Sequence, residues 1–262
     1  VNDLAVGAGK DDEGGSARGA VHIMFMNTDG TVDETVEIND STANGPTLSN
    51  SDQFGFAVEN IGDLNSDGVN DLAVGAHLDD EGGGARGAVH IMFMNTDGTV
   101  DETVEINSST TNGPTLSNSD FFGRSIANIG DLDGDGVNDL AVGAYGDDEG
   151  GSARGAVHIM FMNTDGTVDE TVKIDDSTAN GPELTNADWF GYSVANIGDL
   201  DGDGVNDLAV GAHQDDDEGT DRGAVHIMFM NTDGTVDSTV EINDSTANGP
   251  ELEDDDSFGR SV

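Results

Sequence analysis

Several residue types are absent or scarce in this chain of 262 residues, and each absence removes a class of function. There is no cysteine, which excludes a disulfide framework and thiol chemistry. Lysine and arginine number 8 against 54 acidic residues, and the net charge of −46 excludes nucleic acid and anionic membrane surfaces as direct partners. No apolar run is long enough to insert into a membrane. Phosphate-binding glycine loops, nucleophile elbows and HExxH motifs are also missing, so we expect no enzyme.

One sequence unit recurs through the whole chain. Val1, Val69, Val137 and Val205 begin equivalent stretches, so the period is 68 residues (from 69 to 137, for example) without insertions. Such a period indicates an array of repeated structural units. Because Val1 falls inside a motif, we expect the chain to be a portion of something longer. The array spans 1–262, with a partial repeat over 1–53, full repeats over 54–121, 122–189 and 190–257, and a starting strand over 258–262.

Each complete repeat contains an acidic loop directly before a short apolar strand. In the stretch 131–139, aspartates stand at loop positions one, three, five and nine, and Gly136 at position six supplies a sharp turn. Ca²⁺ takes roughly 6–8 oxygen ligands, which this spacing provides together with the carbonyl at position seven. An EF-hand would need a glutamate at position twelve and a following helix, but position twelve is Val142 in a short β-branched stretch. We therefore predict about one calcium ion per complete loop.

The candidate calcium ligands occupy these loop positions in every copy. They are Asp63, Asn65, Asp67, Val69 and Asp71; Asp131, Asp133, Asp135, Val137 and Asp139; and Asp199, Asp201, Asp203, Val205 and Asp207. The partial first copy offers Asp3 and the carbonyl of Val1 alone. We expect that copy to bind nothing unless another segment or chain supplies oxygens.

The remainder of each period predicts four short antiparallel strands and no helix. In the second repeat, 54–62, 72–76 and 87–94 are apolar, and 99–106 is a more polar outer strand after an Asp97-Gly98 hairpin turn. The stretch 89–94 is apolar on both faces, which is typical of a sheet packed between two others. A solenoid would have a shorter period. The predicted fold is all-β, a β-propeller of four 68-residue repeats, each a four-stranded antiparallel blade.

These motifs resemble the FG-GAP repeat of integrin α-subunit propellers and of secreted bacterial and archaeal proteins. The resemblance covers nearly the whole chain and implies a calcium ion in each loop, held by the side chains at positions one, three, five and nine. It also implies a role in adhesion or surface architecture. The matching elements are Phe122-Gly123, the loop 131–139 and Gly143-Ala144, with counterparts of the first at Phe54-Gly55, Phe190-Gly191 and Phe258-Gly259.

Two departures from the FG-GAP pattern leave the architecture open. The proline of the family's second motif is replaced after each Gly-Ala by Gly9, His77, Tyr145 or His213. Integrin-type propellers have seven blades, whereas this chain has four repeats. Either four blades close on themselves, or the chain is a piece of a longer array, or two chains complete one ring. The last segment begins a strand that would precede the strand at residue 1, and this match favours closure at four.

Other residues recur with the period or vary within it. We expect the recurrent histidines to be satisfied side chains packed between blades, and the recurrent arginines to pair with the acidic loop just before them. The variable loop after each Gly-Ala is either a binding surface or neutral drift, and Trp189 is either a contact residue or a partly buried strand residue. The recurrent residues are His22, His90, His158 and His226, and Arg18, Arg86, Arg154 and Arg222.

Together these features predict a calcium-binding extracellular β-propeller with an adhesive or structural, non-catalytic role. Extracellular calcium is high enough to fill weak sites, which favours a location outside the cell or at its surface. The expected partner is a protein or glycan ligand, or copies of the chain itself in a homo-oligomer or filament. Two alternatives remain: a subunit of a self-assembling extracellular filament or surface layer, and a non-catalytic accessory domain of a secreted enzyme.

Overall fold

The computed structural model describes residues 2–217 and 219–262, which form fifteen β-strands. None of the described residues forms a helix of the length and apolar character that crossing a membrane requires. The strands are β1 (Leu4–Ala8), β2 (Ala20–Met26), β3 (Val32–Ile38), β4 (Ala57–Gly62), β5 (Asp71–Ala76), β6 (Ala88–Met94), β7 (Val100–Ile106), β8 (Ile126–Gly130), β9 (Asp139–Ala144), β10 (Ala156–Met162), β11 (Val168–Ile174), β12 (Phe190–Gly198), β13 (Asp207–Ala212), β14 (Ala224–Met230) and β15 (Val236–Ile242).

The strands form four antiparallel sheets, each a meander in chain order. The second, third and fourth sheets contain β4 to β7, β8 to β11 and β12 to β15. The first sheet contains three strands, β1 to β3, where the repeat predicts four for a complete blade. The register is the same in each sheet; in the second, His90 lies opposite Val74 on one side and Glu105 on the other. The predicted all-β fold of propeller blades is confirmed.

Burial along the strands explains why the sequence folds this way. Every residue of β5 and β6 is buried, in agreement with a sheet that is covered on both faces. In β7, Asp101 and Glu102 are exposed, so the last strand is the polar outer one. The predicted hairpin precedes it, with Gly98 at φ +76° and the Asn95 N–H donating to the Thr99 carbonyl at 2.8 Å.

Packing between consecutive sheets is organised by glycines. A Cβ on Gly143, at the end of β9, would lie 1.9 Å from the carbonyl oxygen of Gly191 in the next repeat. The pairs Gly75 with Gly123 and Gly211 with Gly259 are as close. The Gly-Ala and Phe-Gly motifs therefore mark the place where the backbones of successive blades touch, which side chains would prevent. Three hydrophobic cores follow from this contact, one for each pair of consecutive sheets.

The outer faces of the first and fourth sheets are exposed at positions that are buried elsewhere. Leu4 is 47% exposed, whereas the equivalent Leu72 is 7% exposed. Leu200 is 59% exposed, whereas Leu132 is 5% exposed. The four described sheets therefore form a series with an apolar face at each end.

Closure at four blades, which the chain ends favour, stays a prediction. Phe258 forms a parallel bridge with Gly223 of the fourth sheet, as Phe54 does with Gly19 of the first. The last segment thus takes the position of a further blade after the fourth, and the first sheet has no added strand from it. The glycine contact that joins each Phe-Gly motif to the preceding blade also joins this one, between Gly211 and Gly259.

Candidate metal loops and an aromatic row

The acidic loops contain the predicted turn. Gly68, Gly136 and Gly204, at position six, each have φ of +95°, a conformation that glycine adopts without strain. Position four of the loop before β5 is Ser66, which is held at φ +63° although it carries a Cβ. The other two loops have glycine at that position. The loop before β5 is therefore the most strained of the three.

The carboxylate at position one anchors each loop by accepting backbone hydrogen bonds from inside it. Asp63 accepts the N–H groups of Asp67 and Gly68, both at 2.9 Å. The position-seven residue contributes in the same way, since the Val69 N–H donates to Asp67 at 2.8 Å. These bonds turn the acidic side chains toward the centre of the loop. The corresponding donors at position seven in the other loops are Val137 to Asp135 and Val205 to Asp203.

The aspartate at position nine is buried and ties the loop to the sheet. Asp139 is 1% exposed and accepts N–H groups from Leu132 at 2.8 Å and from Met162 at 3.0 Å. Burial raises the pKa of Asp139 to about 6 against these hydrogen bonds, and the charges of Asp133 and Asp135 add to the rise. The same two bonds recur at Asp71 and Asp207. A cation bound beside a buried carboxylate with acidic neighbours would reduce the electrostatic repulsion among them and so stabilise the folded loop.

Two loops each bring together three acidic side chains, with one oxygen of each lying within 4.8 Å of the others. They are Asp131, Asp133 and Asp139 before β9, and Asp199, Asp201 and Asp203 before β13. Asp135 and Asp207 are not part of these groups. In the described loop before β5, Asn65 stands at position three and donates its amide to Asp67 at 3.0 Å, and no such acidic group forms.

In the partial first copy, the structure describes one of the two candidate ligands, Asp3. Asp3 is exposed and accepts the Met26 N–H at 2.8 Å, the same bond that Asp139 makes with Met162. The carbonyl of Val1 lies outside the described residues. Asp3 therefore keeps the structural contact of position nine.

Three of the recurrent histidines, His90, His158 and His226, pack against a phenylalanine ring, and the expectation that they are satisfied is wrong for these three. His90 and His158 are fully buried or nearly so, and neither ring nitrogen of either has a hydrogen-bond partner. The His90 ring instead contacts Phe54 edge-on, with centroids 5.3 Å apart. Burial lowers the pKa of His90 to about 4, so the ring is neutral. The sequence signalled their burial but not the aromatic contact that replaces hydrogen bonding.

The recurrent arginines also differ from expectation. Arg18 pairs with Asp40 and Arg154 with Asp176, in the segment after the last strand of the sheet. Arg222 pairs with Asp244 at 2.6 Å, again 22 positions on, rather than with the acidic loop just before it. The reason is topological, because the antiparallel meander brings the segment after the fourth strand beside the turn that holds the arginine.

An aromatic row, which sequence reasoning did not find, lies in the segments around the Gly-Ala and Phe-Gly motifs. Phe121 and Tyr145 stack with centroids 4.8 Å apart and planes inclined by 8°. The guanidinium of Arg124 lies 4.2 Å from the Phe56 ring centre and 4.0 Å from that of Tyr192. The row is Phe56, His77, Phe121, Arg124, Tyr145, Trp189, Tyr192 and His213.

One period position within this row alternates between an aromatic residue and arginine. The residues one period apart are Phe56, Arg124, Tyr192 and Arg260. Arg124 therefore stacks on the aromatic residues of both neighbouring repeats. The sequence shows that this position varies between otherwise similar repeats. The structure explains the variation, because an arginine here contacts aromatic rings of the repeats on either side.

Comparison with known proteins identifies the FG-GAP repeat at residues 54–92, 122–160 and 190–228. Integrin alpha-6 of Gallus gallus is 37% identical over 163 residues, which are 62% of this chain and 14% of that protein. Integrin alpha-PS5 of Drosophila melanogaster is 35% identical over 160 residues, 61% of this chain and 15% of that protein. Integrin alpha-4 of Xenopus laevis is 35% identical over 167 residues. The chain thus spans 14–15% of the length of the first two relatives.

The matched repeats cover the first two strands of each complete sheet and most of the third. Each begins at the Phe-Gly motif that contacts the preceding blade and includes one complete acidic loop. This chain is therefore an FG-GAP repeat protein with β-propeller blades, and it resembles integrin α-subunits over part of their length.

Proposed function

We propose that this chain is a calcium-binding, extracellular propeller array with an adhesive or structural role and no catalytic one. The observation that carries the proposal is the gathering of Asp131, Asp133 and Asp139 around one point of a glycine turn, with Asp139 buried. All three supply oxygen, which is the ligand type of Ca²⁺. The resemblance to integrin α-subunits supports adhesion and a cell-surface setting.

The proposed ligands are those that the loop positions indicate. The buried position-nine carboxylates, with two or three acidic neighbours and no basic residue in the loop, fit a divalent cation. About one ion per complete loop would bind. The ligands would be Asp63, Asn65, Asp67, Val69 and Asp71; Asp131, Asp133, Asp135, Val137 and Asp139; and Asp199, Asp201, Asp203, Val205 and Asp207.

This role requires a protein or glycan ligand as partner, and we propose that the ligand binds at the aromatic row. Phe56 is 40% exposed at one end of the row, and Arg124 supplies a cationic group in a chain with very few. Exposed aromatic and arginine side chains are enriched where proteins bind ligands. The variable residues of the row would then distinguish one ligand from another.

Calcium is expected to stabilise the chain in proportion to the number of complete loops. When the calcium concentration is a hundredfold above the Kd of a site, binding there adds about 2.7 kcal/mol to the free energy of unfolding. Each kcal/mol raises the thermal midpoint of a chain of this size by about 2–4 °C. The measurement is the thermal midpoint, the bound-ion count and the particle mass during a calcium titration at fixed high ionic strength. Asp133→Asn should weaken calcium binding at one site by about tenfold, whereas Asp169→Asn, which removes the same charge from an exposed strand position, should leave every affinity unchanged. An unchanged midpoint and count in the unsubstituted chain would refute calcium binding.

The loop before β5 is expected to gain calcium affinity when it is given the sequence of the other two. Asn65→Asp with Ser66→Gly restores an anionic ligand and removes a Cβ from a left-handed position, so we expect about tenfold tighter binding, or about 1.4 kcal/mol. Ser66→Gly alone is the control. It should raise the stability of the calcium-free chain by about 0.5–1 kcal/mol and leave affinity unchanged. Equal affinities in the double variant and the control would argue against position three as a ligand.

A second candidate function is end-to-end assembly into a filament or surface layer. The exposed apolar faces of the first and fourth sheets favour it, because Leu4 and Leu200 occupy positions that other blades bury against their neighbours. The fourth face of one copy would meet the first face of another as successive blades do. Light scattering during the same calcium titration separates the two functions: a mass that grows with protein concentration supports assembly, and a constant monomer mass excludes it.

A further inference from the structure

The third sheet contains a cation inside a cage of carboxylates at the end opposite the acidic loop. Lys173, on β11, places its ammonium 2.9 and 2.8 Å from the two oxygens of Asp147. Glu149 lies at 2.9 Å and Asp175 at 3.4 Å from the same nitrogen. Burial opposes the charge, but the hydrogen bonds and charges of Asp147 and Glu149 raise the pKa of Lys173 to about 12. The ammonium is therefore held as a cation by three acidic side chains.

The fourth sheet has the same cage without the lysine. One period later, the positions of Asp147, Glu149 and Lys173 are occupied by Asp215, Asp217 and Glu241. One carboxylate oxygen from each of the three lies within 4.8 Å of the other two. Asn243 replaces Asp175 and donates its amide to Glu241. The exchange of lysine for glutamate thus converts a cage around a cation into a group of three carboxylates.

A buried oxygen of Asp215 has no partner in the fourth sheet, where the lysine of the third sheet is missing. Asp215 is 3% exposed, and its Oδ1 accepts the Asp217 N–H at 3.2 Å. Its Oδ2 is buried and has no hydrogen-bond partner. In Asp147 both oxygens contact the Lys173 ammonium. The unpartnered oxygen is therefore the one whose counterpart faces a cation in the neighbouring sheet.

Burial and neighbouring negative charges disfavour the ionised form of Asp215 in the fourth sheet. Burial raises the pKa of Asp215 to about 7, and the charge of Asp188, which is 1% exposed, is the next cause of the rise. Glu241 and Asp217 add to it. A buried carboxylate with anionic neighbours must either bind a proton or meet a cation.

The second sheet shows that the acidic positions alone do not form the cage. Its equivalent residues are Asp79, Glu81 and Glu105, and they do not meet within the same distance. The Asp79 carboxyl instead accepts the Glu81 N–H at 2.8 Å, and Glu105 accepts the amide of Asn107. Among the described residues, only the fourth sheet therefore brings three carboxylates together at this place without a lysine.

We propose that Asp215, Asp217 and Glu241 bind a divalent cation, for which calcium is the fitting class, where the ammonium of Lys173 lies in the third sheet. The site is separate from the acidic loops, because the loop before β13 and the loop after it lie at opposite ends of that six-residue strand, about 20 Å apart. Three carboxylates supply part of the roughly 6–8 oxygens that calcium takes, and water completes the rest. The proposal does not depend on calcium binding by the FG-GAP loops.

Reciprocal exchange between the two sheets tests the site. Glu241→Lys with Asn243→Asp copies the third sheet into the fourth, so the variant should fold and lose one bound calcium. Lys173→Glu with Asp175→Asn copies the fourth into the third and should gain affinity there. Asp237→Asn, at an exposed position of β15, makes the same net change in charge as the first variant and should lose no ion.

Terbium(III) gives a local readout, because it replaces calcium at oxygen sites and emits when a nearby excited ring transfers energy to it. Trp189 is the single tryptophan and follows Asp188, whose charge acts on Asp215. Excitation of Trp189 should give saturable emission that calcium displaces and that Glu241→Lys with Asn243→Asp abolishes. Emission should persist when Asp199, Asp201 and Asp203 are all changed to asparagine. The proposal is overturned if the first variant keeps both emission and ion count, whereas failure of the FG-GAP sites appears as an unchanged count in the triple variant.

Discussion

Gly143→Ala is expected to destabilise the chain by at least about 3 kcal/mol and to lower the thermal midpoint by about 6–12 °C. The added Cβ would lie 1.9 Å from the carbonyl oxygen of Gly191 and 2.4 Å from the Ser125 hydroxyl. The serine could rotate, but it would lose the hydrogen bond that it donates to Gly191 at 2.9 Å. The carbonyl belongs to the backbone of the next blade and has no room to move, because a Cβ on Gly191 would itself meet the Ala156 carbonyl at 2.4 Å. The third and fourth sheets would have to separate.

Gly84→Ala is the matched control for that substitution. Gly84 is exposed, has an ordinary φ, and a Cβ there meets nothing within 4 Å. Its stability change should stay within about 0.5 kcal/mol. Denaturant unfolding of both variants, with equal m-values, measures the difference. If Gly143→Ala behaves like Gly84→Ala, the close approach of glycine backbones is not what joins the blades.

The buried aspartates are expected to stabilise the metal-free chain more as the pH falls from about 8 to about 5. The buried histidines act in the opposite direction over this range, because burial lowers their pKa from 6.5 to about 4 and the unfolded state therefore binds their protons first. Burial raises the pKa of several aspartates above the ordinary 3.8, so the folded state binds their protons more tightly than the unfolded state does. The stability from this binding is complete below about 3.8 and is lost as the pH rises through about 6 to 7. The groups are Asp52 and Asp215, with pKa about 7, and Asp120, Asp139 and Asp188, with pKa about 6.

Asp52→Asn separates this effect from the repulsion of the whole surface. It removes a buried charge beside Asp79, so it should raise the thermal midpoint above that of the unsubstituted chain at high pH, and this difference should shrink as the pH falls. Asp101→Asn removes the same charge from an exposed position of β7 and should show no such difference. Thermal midpoints in a chelating buffer across the pH range give the answer. Parallel pH profiles for Asp52→Asn and the unsubstituted chain would show that the Asp52 carboxyl does not titrate as its burial requires.

The parts of the fold that the sequence predicted are those determined by neighbouring residues. The alternation at 89–94, the Asp97-Gly98 turn and the glycine at position six each fix the backbone within a few residues. Exact repetition then multiplied each local signal, which is why four blades could be recognised. The loop carboxylates came from the same kind of spacing, and their role as ligands stays a prediction.

What the sequence did not predict depends on which residues the meander brings together from a distance. Arg18 pairs with Asp40 rather than with the adjacent acidic loop, and His90 meets Phe54 rather than a polar group. The substitution of Lys173 for glutamate is visible in the sequence, but its meaning requires the contact with Asp147. Such contacts depend on how sheets stack, which periodicity along one strand does not encode.

Near-identical repeats carry a hazard during folding, because a segment from one repeat fits the sheet of its neighbour almost as well as its own. The alternation of Phe56, Arg124, Tyr192 and Arg260 works against such an exchange. If the segments that begin at Arg124 and Tyr192 traded places, two arginines would become neighbours and the guanidinium sandwiched between rings would lose one of them. A single variable position thus favours the correct order of blades that are otherwise almost interchangeable.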